Sequence, residues 1–535
     1  MTFDGSSVSE TSPLLPNATT SVPVCSQGGR CCAVIATSSS ESKLPTCCST
    51  ASPSLGQPGN DDDYCHLADQ PWKYKAVALT CALLLAVGSH FAAHTLGAMK
   101  PIIKQHFGIS NSQYGVLQST VSIVNTVLPF ANGILIDAFG TIPGSIFTTL
   151  LITSGNVLVA LSTHSSSLSM MILGRVLYGI GSGAVVIVQE TILSQWFKGR
   201  HLASVVALML TVSRLSSFLA QATVVFIAKW TGWYGYAFWF SALLCVFSLV
   251  VNLVYIALLR KVSTNSYACQ AQINVIKRKK SFQWSKLMYL PHSFWLIVAM
   301  EFLLGGGWGC FLHINSEFVK VRFGYDDAHA AATASVAQLL PVFLMPVLGV
   351  CLDRYGKRTW MMIISGVSFL LSMILLGYTS LSPIIGMLCF SASLSLGPVG
   401  LVSSVPVILP LSLVGTSMGL IKSGTNIGAS LFDMATGFIQ DADRHKGYSG
   451  IIVFFIVIGA LSVICGIILC VLDYTVYDRI LDRNARQARL ADEQKINHPM
   501  GTMREKLKIN YLYAGIYVAL AVLSWILFVR FVFLS

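Results

Sequence analysis

The chain has 535 residues, of which 54% are hydrophobic and 11% are charged, and its formal net charge is +12. A soluble domain carries about 25% charged residues, so the composition excludes a soluble globular protein of this length and indicates a protein embedded in lipid. The positive charge does not indicate nucleic-acid binding, because the basic residues cluster in predicted loops on the cytosolic side, as the positive-inside rule expects.

The N-terminal segment, residues 1–72, is polar and rich in Ser, Thr and Pro, which predicts a disordered cytosolic tail without a cleavable signal peptide. Within it, the residues from Glu10 to Leu15 match an acidic dileucine sorting signal, in which adaptor proteins would bind Glu10, Leu14 and Leu15. Chance occurrence of so short a pattern is the alternative. The tail also holds six cysteines, but their spacing fits no zinc site. The sequence therefore predicts no metal site and no cofactor.

Twelve apolar stretches follow, in two groups of six that are separated by a basic linker at residues 260–291. A helix needs about 20 apolar residues to cross roughly 30 Å of hydrocarbon. The first six stretches are residues 76–97, 116–136, 142–161, 168–192, 202–228 and 236–259. The second six are residues 294–312, 330–352, 360–378, 383–409, 413–438 and 451–472. The sequence therefore predicts an all-α membrane protein with an N-terminal six-helix bundle at 73–259 and a C-terminal six-helix bundle at 292–473.

The C-terminal residues have a different pattern. Residues 474–510 are charged and helix-prone, which predicts an amphipathic helix on the cytosolic face. Residues 511–535 are apolar again, apart from Arg530, and we expect them to form an extra membrane-spanning helix with a luminal C-terminus. A helix lying on the membrane surface is the alternative. Basic residues are concentrated in alternate loops, which places the N-terminus in the cytosol.

A short motif occurs twice, at the ends of the second and the eighth apolar stretch. Both copies have the spacing Gly-x3-Asp-x2-Gly, and the second contains Arg354 and is extended by Lys357 and Arg358. The first copy comprises Gly133, Asp137 and Gly140, and the second comprises Gly349, Asp353, Arg354, Gly356 and Arg358. Glycines allow a tight reversal between helices, and an aspartate at a helix terminus can meet a helix dipole or a neighbouring arginine. A motif that recurs six helices later indicates a duplicated helical bundle, the architecture of a transporter.

This pair of motifs resembles the paired loop motif of the major facilitator superfamily. The resemblance implies two six-helix bundles that rock around a central site, with the motif controlling one face. Thr141 and Ile142 follow Gly140 in the first copy, which lacks the basic residues, so the gating role is expected mainly of the second copy. Further segments resemble the lysosomal dipeptide transporter branch of that superfamily. They begin at Gly88, Gly174, Trp196, Ser213, Phe323 and Gly415. This resemblance implies a dipeptide uniporter that works with a heavily glycosylated single-pass accessory protein.

Arg214 lies near the middle of the fifth stretch, where a charged side chain costs about 2.5–3.5 kcal/mol on insertion scales. A guanidinium suits bidentate binding of a carboxylate, and the resemblance matches Arg214 to the arginine that takes the peptide carboxylate. A structural ion pair is the alternative. For the peptide amine, the family has an acidic residue at the position of Gly183, and Glu190, two turns further along the same helix, is the candidate replacement.

Other polar residues inside the predicted stretches are further candidates for substrate binding. These candidates are His94, Glu301, Lys422 and Asn426. His90 and His94 share one face of the first stretch, and His94 replaces an acidic residue of the family. The two histidines can carry protons in an acidic organelle, or they are hydrogen-bonded core residues. Arg175 is expected to have a structural role near the luminal side.

The expected function is alternating-access transport of small organic solutes, dipeptides or amino acids, across the lysosomal or vacuolar membrane, most simply as a uniport. One alternative is a proton-coupled transporter of another organic anion, with His90, His94 or Glu301 titrating. Another is a membrane sensor or scaffold that has lost transport. No enzyme is expected, because no nucleophile–base pattern, metal-ligand spacing or phosphate loop stands out.

Besides the lipid bilayer and the adaptors, one protein partner is expected. The Asn-x-Ser/Thr pattern occurs only at Asn17, in the predicted cytosolic tail, so the predicted luminal loops offer no glycan acceptor. A lysosomal protein without glycans is exposed to proteases. A glycosylated protective partner, which the resemblance implies, would meet that need.

Overall fold

The computed structural model describes residue 67 and residues 70–139, 141–197, 202–264, 290–409, 411–445, 447–483 and 509–534. The dileucine segment, Gly140, most of the 260–291 linker and most of the 474–510 segment lie outside these ranges. The described residues are almost entirely helical and include no strand. The predicted all-α class is confirmed.

The N-terminal half contains six long helical spans. The first is broken into α1 (Trp72–Leu84) and α2 (Val87–Ala98), and the short helix α3 (Lys100–Phe107) follows it. The other spans are α4 (Asn111–Phe139), α5 (Thr141–Ser165), α6 (Leu168–Trp196), α7 (Leu202–Thr231) and α8 (Gly235–Thr264).

The C-terminal half repeats this order. Its first span consists of α9 (His292–Met300), a π-helical turn (Glu301–Gly305) and α10 (Gly306–Phe323). Its second span consists of α11 (Asp327–Ser335), a 3₁₀ turn (Val336–Gln338) and α12 (Leu339–Tyr355). The remaining helices are α13 (Arg358–Tyr378), α14 (Pro383–Ile408), α15 (Leu411–Ala442), α16 (Ser449–Thr475) and the additional C-terminal helix α17 (Ile509–Leu534).

Most of these helices have the length and composition of membrane spans. In the described part of the chain, eleven helical segments are long and apolar enough to cross a bilayer, and α17 supplies one of them. Helices α4 and α15, with 29 and 32 residues, occupy the second and eleventh places in the order. At 1.5 Å per residue each exceeds roughly 40 Å, which is sufficient to span the hydrocarbon. The arrangement is consistent with twelve spans and an extra C-terminal helix.

Small residues set the distance between several helices. Gly155 of α5 and Gly174 of α6 face each other so closely that a Cβ on Gly155 would lie 2.7 Å from the carbonyl oxygen of Gly174. Gly428 of α15 packs against the π-helical turn, and a Cβ there would overlap the carbonyl of Phe302. In a bilayer, helices associate mainly through such close packing, because lipid tails are as apolar as the helix surfaces.

The first spans of the two halves are both irregular. The first span of the chain breaks between α1 and α2, where Ala86 has φ −105° and ψ 3°. The seventh span widens into the π-helical turn, which begins at Glu301. A Cβ on Gly305 would lie 2.7 Å from Oε2 of Glu301, so the glycine leaves room for this carboxylate inside the span. π-Helical turns occur frequently at functional sites.

The second copy of the repeated motif forms the turn between α12 and α13. Gly356 ends α12 with φ +70°, a conformation that favours glycine, and its Cα packs against the backbone at Asp482. Arg358 is buried and donates hydrogen bonds to the carbonyls of Leu481 (3.3 Å) and Arg483 (3.0 Å). The turn therefore holds the segment that follows the last helix of the bundle.

Other parts of the motif are less informative. The Arg354 guanidinium lies 5.6 Å from the ring centroid of Tyr355. The side chains of Asp137 and Asp353 are not among those that the structure describes, so the gating role of the two aspartates stays a prediction.

Helix α17 lies on the outside of the bundle and contacts both halves. Trp525 donates a hydrogen bond from Nε1 to Oγ1 of Thr126 in α4 (2.9 Å), and Tyr517 donates from its hydroxyl to the carbonyl of Leu420 in α15 (3.0 Å). Near its N-terminus, the ring of Tyr513 stacks on Trp295 of α9. Most of the remaining surface of α17 is apolar and exposed, as expected of a helix that faces lipid.

Candidate functional site

One end of the protein is closed by charged contacts between the two halves, and we call it the Lys100 end. Glu317 of α10 accepts hydrogen bonds from the ammonium groups of Lys100 and Lys104, each at 2.7 Å. The Tyr448 hydroxyl donates to the same carboxylate (2.5 Å). The side chains of Lys100 and Glu317 are only 2% and 7% exposed. Two lysines from the N-terminal half therefore enclose one buried carboxylate from the C-terminal half.

Further polar contacts join the halves at the same end. Asp441 at the end of α15 accepts from the side-chain amide of Asn111 (2.9 Å) and from the backbone amide of Ser112 (2.6 Å) at the start of α4. Lys229 of α7 forms an ion pair with Asp326 at 2.5 Å, and both side chains are 48% exposed. The structure therefore represents a state in which the Lys100 end is closed. The loop charges of the sequence predict that this end faces the lumen.

A buried polar cluster lies immediately inside this closure. Nδ1 of His313 in α10 lies 3.0 and 3.1 Å from the two oxygens of Asp433 in α15. The Asp433 side chain is 1% exposed and that of His313 is 16% exposed. Arg175 of α6 donates to Gln118 (3.4 Å), and its guanidinium lies 5.6 Å from the ring centroid of Tyr178. Arg175 is buried, and its Nε has no hydrogen-bond partner among the described residues, so its structural role stays a prediction.

Arg214 lies in the middle of α7, partly buried and beside the first span. Its guanidinium is close enough to His90 and His94 to interact with both electrostatically, so it faces the protein interior. Among the described residues, Arg214 has no hydrogen-bond or ion-pair partner. His90 and His94 each keep one buried ring nitrogen without a described partner. The Arg214 guanidinium, which is a fixed positive charge with unused donors beside two polar ring nitrogens, can bind a carboxylate.

The other candidate charges lie together on the side away from the Lys100 end. Lys422 of α15 interacts electrostatically with Glu190 of α6 and with Glu301. The Glu301 carboxylate also accepts a hydrogen bond from Thr425 (3.0 Å). Because Glu190 and Lys422 belong to different halves, their interaction places both at the interface between the bundles. Asn426 donates its side-chain amide to the carbonyl of Lys422 (2.8 Å), one turn earlier in its own helix.

The structure thus divides the sequence candidates into two groups. One group is Arg214 with His94 and His90, and the other is Lys422 with Glu190, Glu301 and Asn426. The sequence analysis did not single out His313 or Glu317, because the predicted seventh stretch ends at residue 312, whereas the span in the structure runs from His292 to Phe323. A longer predicted span would have shown both as ionisable residues inside it. In the described ranges, no group of three or more His, Cys, Asp or Glu side chains is placed to hold a metal ion.

Comparisons with known proteins agree with this arrangement. The family model of the Major Facilitator Superfamily matches residues 82–432 and 297–535. The lysosomal dipeptide transporter MFSD1 of Danio rerio is 26% identical over 412 residues, which cover 75% of this chain and 87% of the relative. The protein of the same name from Homo sapiens is 26% identical over 414 residues, with coverages of 74% and 86%.

Solved structures show the same fold at low sequence identity. A D-xylose-proton symporter superposes with a TM-score of 0.58 at 16% identity and covers 74% of this chain and 97% of its own. A peptide transporter POT in complex with sulfate gives a TM-score of 0.57 at 14% identity, with coverages of 76% and 96%. The match to the family model, the order of the helices and the duplicated turn motif lead to one conclusion: the chain belongs to the Major Facilitator Superfamily and is a multi-pass membrane transporter, not an enzyme.

Proposed function

We propose that the protein carries small zwitterionic solutes, dipeptides or amino acids, across the lysosomal or vacuolar membrane by alternating access. Two lines of support lead to this substrate class. The relatives named above are lysosomal dipeptide transporters, and the site contains separate cationic and acidic groups. Transporters of this architecture generally bind their substrate near the bilayer midplane, where the two halves meet.

The observation that carries the proposal is the unpaired guanidinium of Arg214. A charged residue at the centre of a span is costly, and such residues usually pair with one another or serve a pathway. Arg214 has no such partner among the described residues. A substrate carboxylate would supply the missing counter-charge, and the planar guanidinium can bind it through two parallel hydrogen bonds.

The amine of the substrate needs an acidic partner elsewhere, because Gly183 stands where the family has an acidic residue. We assign this role to Glu301, with Glu190 across the interface as a second negative charge. The space that Gly305 leaves and the hydrogen bond from Thr425 orient the Glu301 carboxylate. Lys422 interacts electrostatically with both acids, so a substrate ammonium group would compete with it for them.

Transport by purified protein in liposomes tests this proposal. Uptake of the labelled dipeptide alanyl-alanine should fall at least tenfold in Arg214→Lys, because an ammonium group cannot reproduce the bidentate contact. Arg530→Lys is the matched control, since it makes the same substitution at an exposed arginine near the end of α17, and its uptake should equal that of the wild type. Unchanged uptake by Arg214→Lys would remove this residue from the site. No uptake by the wild type with any dipeptide would favour a sensor or scaffold.

Two modes of transport fit this site. Uniport is implied by the resemblance to lysosomal dipeptide transporters. Proton coupling, which would also suit another organic anion, is favoured by the buried histidines beside Arg214. Flux that is independent of a pH gradient supports the first mode, and flux driven by the gradient supports the second.

The lysosomal location is testable through the N-terminal tail. Replacing Leu14 and Leu15 with Ala should redirect the protein to the cell surface, because adaptors recognise the two leucines of such a signal. Unchanged residence in endolysosomes would refute the signal. The same cells would show whether a glycosylated single-pass protein co-purifies with the transporter, as proposed from the missing glycan acceptors.

A further inference from the structure

A cavity of about 390 Å³ lies at the Lys100 end of the C-terminal half. Three helix ends form it, namely the last turns of α10 and α13 and the first turn of α16. Its lining includes Phe318, Arg322, Tyr378, Tyr448, Ser449 and Ile452. Ligand pockets in proteins usually have volumes of about 300–1,000 Å³. The cavity is therefore large enough for a small molecule or for the headgroup of a lipid.

The cavity lies where the bilayer ends. Arg322, Tyr378 and Ser449 are at or next to the ends of three helical segments that are long and apolar enough to span a membrane. Two stripes of exposed apolar side chains lead to it, one along α13 and one along α16. The stripe on α13 consists of Ile364, Val367, Leu371 and Ile374, and the stripe on α16 begins with Val453 and Val457. Because exposed apolar surfaces of spanning helices face lipid, both stripes connect the hydrocarbon with the cavity.

The charge of the cavity favours an anionic ligand. Among the residues that line it, only Arg322 is charged. Its guanidinium donates a hydrogen bond to the carbonyl of Gly377 (3.2 Å), which fixes it at the rim, and no carboxylate of the described residues pairs with it. The neighbouring Lys320, by contrast, forms an ion pair with Asp327 (2.8 Å). The remaining donors of Arg322 are available to a phosphate group, which a guanidinium binds well.

The N-terminus of α16 adds a second source of positive potential at the cavity. This helix has 27 residues, its N-cap residue Tyr448 makes no capping hydrogen bond through its side chain, and its first turn contains no acidic residue. The nearby Asp443 accepts instead from the loop amide of Gly447 (3.1 Å). Helix N-termini bind phosphate through their free backbone N–H groups. The first turn of α16 can therefore bind the same phosphate as Arg322.

The cavity shares a wall with the closure between the two halves. Tyr448 contributes to the lining, while its hydroxyl donates to Glu317 (2.5 Å), the carboxylate at the centre of the closure. The Tyr448 ring packs edge-on against Phe318, which also lines the cavity, with 5.3 Å between the ring centroids. A ligand held between Arg322 and the first turn of α16 would restrict the movement of Tyr448. It would thereby preserve the hydrogen bond to Glu317.

We propose that this cavity binds the headgroup of an anionic phospholipid and that the bound lipid stabilises the closed state of the Lys100 end. Arg322 and the first amides of α16 hold the phosphate, and the acyl chains lie along the apolar stripes of α13 and α16. Linkage is reciprocal, so opening of this end weakens binding of the lipid by the same factor by which the lipid disfavours opening. The inference does not depend on which solute is carried.

Two measurements on the full chain in lipid nanodiscs test this inference without a transport assay. The first is retention of phosphatidylglycerol, measured by native mass spectrometry after release from nanodiscs of phosphatidylglycerol and phosphatidylcholine. The second is the rate at which a membrane-impermeant maleimide labels Ser316→Cys, since residue 316 is buried beside the closure. We expect phosphatidylglycerol to be retained in preference to phosphatidylcholine. Labelling should be slower by roughly fivefold or more than in phosphatidylcholine alone.

Variants then test the assignment to this cavity. Arg322→Gln should lose the preferential retention and the slower labelling, whereas Arg530→Gln, at an exposed arginine of α17 outside the cavity, should keep both. Ser449→Asp should also lose both effects, because its carboxylate repels the phosphate. Its melting temperature should not fall, since an acidic residue is favourable in the first turn of a helix. Tyr448→Phe keeps the ring but not the hydroxyl, so it should retain the lipid without slower labelling.

Each contrary outcome overturns a stated part of the inference. Retention and labelling that are the same in Arg322→Gln, Ser449→Asp and the wild type overturn the site. Equal slowing of labelling by inorganic phosphate or glycerol 3-phosphate in phosphatidylcholine nanodiscs overturns the lipid, because free phosphate is then the ligand. Retention that depends on Arg322 but leaves labelling unchanged overturns the control of closure. Failure of dipeptide uptake in liposomes would leave both measurements unaffected, so this inference and the proposed function fail separately.

Discussion

Replacing Glu317 with Gln should open the Lys100 end. The carboxylate of Glu317 is the anion that both Lys100 and Lys104 contact, and the substitution removes its charge but keeps its shape. Lys100 would remain buried with two neutral neighbours, the amide oxygen of Gln440 and the hydroxyl of Tyr448, each at 3.1 Å. The buried ammonium would then favour any state in which water reaches it.

The size of the effect follows from the burial of the pair. Removing one partner of a buried ion pair costs about 3–5 kcal/mol. The lower value applies here, since the Gln440 and Tyr448 contacts to Lys100 persist. About 3 kcal/mol corresponds to roughly a hundredfold change in the ratio of closed to open molecules, at about 1.4 kcal/mol per factor of ten.

Thiol labelling measures this ratio. Ser316 is buried beside the closure, and its hydroxyl donates to the carbonyl of Ala98 (3.0 Å). In a Ser316→Cys background, a membrane-impermeant maleimide should react slowly, because the thiol is covered while the Lys100 end is closed. Adding Glu317→Gln should accelerate labelling of this thiol by roughly a hundredfold if the rate follows the open population.

A matched control uses the second ion pair between the halves. Asp326→Asn removes a carboxylate that also bridges the halves at the Lys100 end, but its side chain and that of Lys229 are 48% exposed. Exposed pairs contribute little to stability, and Asn can still cap α11. Labelling should therefore change only slightly in this variant. Equal labelling rates in the two variants would refute the role of the buried lysines in closure.

Two further results are expected. Gly428→Ala adds a methyl group that overlaps the carbonyl of Phe302, so it should lower the free energy of unfolding by about 1–3 kcal/mol. The lower melting temperature should be absent in Gly515→Ala, whose site is open. The hydrogen bond from Lys229 holds the pKa of Asp326 well below its ordinary value of 3.8. The stability that this carboxylate contributes is thus present above pH 3.8 and is lost only as the pH falls further. The small difference in melting temperature between wild type and Asp326→Asn should therefore be no smaller at pH 5 than at pH 7, and a difference that vanishes within this range would contradict the pairing with Lys229 and His329.

The sequence was sufficient for the fold because lipid imposes a simple rule on each segment. An apolar stretch of about 20 residues must be helical to satisfy its backbone, so span order follows from composition. The repeat of the Gly-x3-Asp-x2-Gly turn then indicated two related halves. Local deviations were less predictable. The π-helical turn at Glu301 depends on the approach of Gly428 from a helix more than a hundred residues away.

The site was only partly predictable, because its contacts join distant parts of the chain. Arg214 stands out in sequence as a charge in the middle of a span. In the sequence, Lys100 and Lys104 look like loop charges. In the structure both lie in the short helix α3, and their ammonium groups contact Glu317, more than two hundred residues away. Periodicity indicates which residues share a face of one helix, but it does not indicate which face of another helix lies opposite.

Helix α17 has a mechanical consequence. Its tryptophan at position 525 holds the N-terminal half, and Tyr517 holds the C-terminal half. If the two halves move relative to each other in every transport cycle, one of these hydrogen bonds must break or α17 must bend. We expect α17 to slow turnover and to prolong the state that is closed at the Lys100 end. Deletion of α17 should therefore give a transporter with faster turnover and lower stability.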